Sequence, residues 1–66
     1  MKEVTQDQFY QFIGPLDVTV GAIGNYPYTT EFRMRRSREL MGKVVENYSD
    51  ELEHHYPIVK KYFINN

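Results

Sequence analysis

The chain has 66 residues, no Cys, a net charge of −1 and a pI near 6.0. That length suits one domain, 1–66, burying only about 60% of the surface its unfolded form exposes, and the missing Cys excludes disulfides, thiolate metal ligands and a cysteine nucleophile. Near-neutrality removes any global attraction to nucleic acid or an anionic membrane, while 17 Leu, Ile, Val and Phe residues, joined by six Tyr, are too many for a disordered chain. With no covalent staple, support must come from dense aromatic packing or from a second chain.

The first local signal is a helix start. Thr5 with Gln8 three residues later forms a capping box, Val4 and Phe9 occupy the two positions of a hydrophobic staple, and Asp7 lies in the first turn, where the helix dipole favours an anion. Phe9, Phe12 and Ile13 share one helical face, and Gly14-Pro15 is expected to end the segment with a left-handed glycine cap. A helix of about two turns is not stable alone, so its Phe face must pack on something, most simply a sheet.

Asp17 to Ile23 reads as a strand, with Val18, Val20 and Ala22 on one face and Thr19 on the other. Gly24-Asn25 then suggests a tight hairpin turn with positive φ angles. Beyond it comes the strongest alternation in the chain: Tyr26, Tyr28, Thr30, Phe32 and Met34 on one face, Pro27, Thr29, Glu31, Arg33 and Arg35 on the other. Pro27 belongs at the start of that strand or on an unpaired edge. The even face is expected to be core, because it is the long apolar face available to receive Phe9, Phe12 and Ile13.

Arg36-Ser37-Arg38 reads as a second turn and Leu40 to Glu46 as a third strand, either covered on both faces or bulged near Gly42. Residues 46–55 are polar and acidic and read as a loop. In 56–64, Ile58, Val59, Tyr62 and Phe63 also fit helical spacing, but β-preferring residues dominate and a strand is favoured. The sum is an α+β domain: one short N-terminal helix packed on a three- to four-stranded antiparallel β-meander. The N-terminus carries no apolar leader and no apolar run nears the roughly 20 residues of a membrane span, so the expected location is the cytoplasm.

The stretches Phe12-Ile13-Gly14-Pro15-Leu16-Asp17-Val18, Tyr26-Pro27-Tyr28-Thr29-Thr30-Glu31-Phe32 and Gly42-Lys43-Val44 resemble small proteins encoded by bacteriophages and prophages. The resemblance implies an accessory phage or prophage product in a bacterial cytoplasm. It brings no known chemistry and transfers no functional residue.

Among the polar features, Arg33, Arg35, Arg36 and Arg38 are the sharpest. Arg33 and Arg35 are expected on the solvent face of a strand with Arg36 and Arg38 in the following turn, so that four guanidinium forks share one small surface suited to phosphate or carboxylate. The plainer reading is a solvated strand and turn whose charges guard an edge. Arg33 to Lys43 carries five positive charges and one negative, and 46–53 carries four negative, an opposition that a two-fold dimer would satisfy reciprocally. His54-His55 does not suit a metal, since neighbouring residues point apart on either a strand or a helix. Nothing suggests a nucleophile and base, a glycine-rich phosphate loop or a cofactor, so an enzyme is not expected. The leading expectation is a non-enzymatic module that binds a protein through the Arg-rich hairpin or an exposed strand edge and self-associates as a homodimer. The alternative is nucleic-acid binding, with the four Arg on phosphates and nearby Tyr stacking on bases.

Overall fold

The structure, a computed structural model, describes residues 1–48 and 57–66. Helix α1 (Gln6–Ile13) starts where its capping chemistry requires: the Gln8 amide donates to Thr5 Oγ1 at 3.2 Å, and the Thr5 amide donates to Gln8 Oε1 at 3.1 Å. Its C-terminus corrects one expectation. Gly14 has right-handed helical angles, with its amide on the Tyr10 carbonyl at 2.9 Å. The Leu16 amide then bonds the Ile13 carbonyl at 3.0 Å, a tighter turn that satisfies a terminal carbonyl without a left-handed residue.

Among the described residues five strands accompany the helix: β1 (Lys2–Val4), β2 (Val18–Ile23), β3 (Tyr28–Met34), β4 (Leu40–Tyr48) and β5 (Pro57–Ile64). All neighbouring pairs are antiparallel, in the order β1-β5-β4-β3-β2. The α+β class is therefore observed, with four strands in meander order. A fifth strand, β1, comes from the N-terminus and lies beside the last. The strand expected over 56–64 is present as β5 from Pro57 to Ile64, with Tyr56 outside the described residues, while β4 runs to Tyr48, so residues 46–48 belong to a strand rather than a loop. The rest of the expected acidic loop, with Asp50, Glu51, Glu53, His54 and His55, lies outside the described residues.

The connection between β2 and β3 also departs from expectation. It spans 24–27, contains a cis Tyr26-Pro27 bond, and no described glycine has a positive φ. Left-handed geometry occurs instead at Arg38 (φ 60°), in the turn between β3 and β4 that closes through Arg38 N to Met34 O at 2.8 Å. The anomaly near Gly42 is a bulge. Phe32 faces Gly42 but Arg33 faces Leu40, leaving Met41 as the extra residue.

One face of the sheet receives α1. Phe9 is completely buried, with its ring edge-on to Phe32 at 5.1 Å and tilted over Tyr62 at 5.4 Å. Ile13, Val44, Tyr62 and Ile64 complete the core, and Val4, Phe12, Leu16, Val18, Phe32 and Met41 pack around it. Gly42 makes the close approach possible, since a Cβ there would stand 2.9 Å from Phe9 Cε2 and 3.0 Å from Ile13 Cδ1. The helix, eight residues and about 12 Å long, is shorter than β4, whose nine residues extend about 30 Å. It therefore covers only the end of the sheet that holds Gly42 and Ile64.

Candidate functional site

The two edges of the sheet are unequal. β1 is three residues long and includes Lys2 and Glu3, whereas β2 is six residues, VTVGAI, with no charge and no Pro. On its inner side β2 pairs with β3 from Val18↔Met34 to Ile23↔Thr29. The Arg35 amide bonds the Asp17 carbonyl at 3.0 Å, which sets the phase of the ladder. Residues of odd number on β2 turn their N–H and C=O groups to β3, so Val18, Val20 and Ala22 turn theirs outward. Val20 is 61% exposed and Ile23 43%. A groove of about 220 Å³ follows this strand, lined by residues 19–23 with Glu31 and Arg33. At Gly21, where an added Cβ would meet nothing within 4 Å, the edge is notched.

The Arg cluster sits at one end of this edge and does not form a single cationic surface. Arg33 lies along the sheet face away from the helix, with Nη2 on Glu31 Oε2 at 2.9 Å and Nη1 on the Arg38 carbonyl at 3.1 Å. Arg35 reaches across to Asp17, Nε to Oδ1 at 3.0 Å, and tethers the turn to the start of β2. Both guanidinium groups are answered by carboxylates. Arg36 and Arg38 are exposed and carry no ion pair among the described residues. The pairs are exposed and add little to stability; their effect is to orient the turn against β2.

A third feature lies at the opposite end of the sheet, beyond the helix. The sequence places Tyr26 and Tyr28 in the core; the structure leaves them 52% and 42% exposed, because α1 does not reach them. They meet edge-on at 6.1 Å, and Tyr28 meets Tyr48 at 5.4 Å. The Tyr26 hydroxyl donates to the Tyr48 carbonyl at 3.1 Å, the Tyr48 hydroxyl donates to the Glu46 carboxylate, and Lys60 stands 3.4 Å from Glu46. The Tyr48 hydrogen bond, helped by Lys60, holds the Glu46 carboxyl below its ordinary range against the opposing effect of burial. The same bond pushes the Tyr48 phenol up. Partial burial opposes ionisation of Lys60, but the Glu46 carboxylate and Tyr62 outweigh it and raise the ammonium. Of the acidic residues in the expected 46–55 loop, Glu46 alone is among the described residues, and it is committed to this local network rather than to the Arg turn.

No family model matches the chain, and comparisons with curated proteins and with solved structures find no significant match. Among the described residues no helix is long and apolar enough to cross a membrane.

Proposed function

We propose that this protein is a non-enzymatic interaction module, an accessory phage or prophage product of the bacterial cytoplasm, that binds a protein by adding a strand at the β2 edge. The observation that carries this reading is the uncharged six-residue edge strand, with outward backbone groups at Val18, Val20 and Ala22. Backbone bonding supplies affinity in strand addition and side-chain pockets supply specificity; the notch at Gly21 beside Glu31 and Arg33 is such a pocket. Base stacking beside the Arg cluster is poorly served. Tyr28 and Arg33 lie on opposite faces of β3, and Tyr28 is about 20 Å along the strand from the Arg turn.

The test is site-specific cross-linking in bacterial lysate with a photoreactive residue in place of Val20. The expected result is a defined protein adduct that is lost when Pro replaces Val20 in bait cross-linked from Thr19, since Pro removes an outward N–H without breaking the β2–β3 ladder. Adducts indifferent to Pro at position 20, or capture that disappears on nuclease treatment, would overturn the reading, the second outcome in favour of nucleic acid.

A further inference from the structure

We infer that the strand which fits the β2 edge is β2 of a second copy, paired antiparallel about a two-fold axis through Val20. The inference rests on the reading of β2 as the binding edge and names its occupant.

Three observations select this register. The first is backbone phase. A two-fold axis perpendicular to the sheet keeps residues of like parity opposite one another. With the axis at Val20, the residues whose N–H and C=O point outward meet as hydrogen-bonded pairs: Val20 with Val20, Val18 with Ala22 and Ala22 with Val18. Shifting the axis to Gly21 would set Val18 against Gly24, beyond the strand, and shifting it to Thr19 would leave Ala22 without a strand partner.

Side-chain size is the second. In this register Val18 faces Ala22 on the helix side, and Thr19 faces Gly21 on the other, so each larger residue meets a smaller one. The Thr19–Gly21 pairs fall at the non-hydrogen-bonded positions, where strands approach most closely, about 4.5 Å between Cα atoms. It is there that the edge offers the open notch at Gly21. A glycine inside a strand weakens it unless something approaches closely, and the Thr19 side chain of the second copy is that approach.

The third is charge and closure. Val18–Ile23 contains no charged residue, so no like charges meet across the axis. At each end Asp17 is already paired with Arg35 of its own chain. Isologous pairing uses the β2 edge of both copies, and the edge that remains on each is the short β1 with Lys2 and Glu3. Assembly therefore stops at a dimer with both helices on the same side of one continuous sheet.

Sedimentation equilibrium of the full chain tests this over a range of about 5 to about 500 µM. The expected result is a mass that rises from 7.9 kDa toward the dimer with concentration. Val20→Lys and Val20→Glu should each dimerise at least about tenfold more weakly, through like charges at the axis, and an equimolar mixture of the two should recover association. In the native chain, hydrogen exchange at the Val18, Val20 and Ala22 amides should slow with concentration while Thr19 and Gly21, already bonded to β3, stay constant; this readout needs no variant. A mass of 7.9 kDa throughout, Val20→Lys associating like the native chain, or no recovery on mixing would overturn the two-fold pairing. A chain that remains monomeric yet yields an adduct sensitive to Pro at position 20 would overturn this inference and leave the binding-edge reading standing.

Discussion

The two ends of the sheet share β3, β4 and β5 and are held together by different contacts. At the end holding Gly42 and Ile64, α1 seals Phe9 completely and Ile13 nearly so. At the other end Tyr26, Tyr28 and Ile23 face solvent, and polar contacts among Tyr26, Tyr48, Glu46 and Lys60 replace apolar burial. A short helix can thus found a core without covering the sheet it lies on. Stability is expected to concentrate under the helix, and the exposed end and the β2 edge are free to meet other molecules.

The largest expected effect is at the sealed end. Phe9→Ala removes the one large side chain that is completely buried among the described residues and should cost about 3–5 kcal/mol. For a domain of this size that suffices to unfold most of the population, which thermal denaturation followed by circular dichroism will register; a loss below about 1 kcal/mol would mean that the helix does not anchor the core. Gly42→Ala should come next, at about 1–3 kcal/mol, because its methyl group meets Phe9 and Ile13 at 3.0 Å or less and the Phe63 carbonyl oxygen at 3.0 Å. A neutral result in urea denaturation would show that the helix can lift from β4 at little cost.

The smallest effect belongs to the open end. Glu46 has a folded pKa below the ordinary 4.5, so its contribution is present above that value and is lost as pH falls through the folded pKa. Tyr48→Phe removes the chief cause, and the Glu46 midpoint, followed by carbon-detected NMR, should move upward toward 4.5. An unchanged midpoint would mean that Lys60 alone holds the carboxylate. The shift in Tyr48→Phe should leave the unfolding temperature near neutral pH almost untouched, in contrast to Phe9→Ala.

Much of this fold was legible because its signals are local. Thr5 and Gln8 cap the helix through groups three residues apart, and Phe32 alternates with Arg33 because a strand has period two. The bulge at Gly42 was foreseen as one of two possibilities for the same reason: the parity of Leu40 and Val44 conflicts with that of Met41 and Val45. Lys2–Val4 was not legible as a strand. Three residues carry too little pattern, and their extended state depends on partners at Tyr62, Phe63 and Ile64, about sixty positions away. The exposure of Tyr26 and Tyr28 was missed because parity assigns a side chain to a face but says nothing of how far the helix reaches over that face.

The candidate site divides the same way. Sequence drew attention to four Arg, and two of them are engaged by Glu31 and Asp17; the stronger feature, an uncharged edge, was present in VTVGAI but could not be known to be an edge. By itself the sequence determined the helix and its start, the strand faces and the aromatic anchors, all interactions within a few residues. Which strand lies outermost, which backbone groups look outward and which aromatics escape burial emerge at the level of packing. Those depend on strand order and helix reach, which are set by the free energy of the whole packed chain rather than by any one segment.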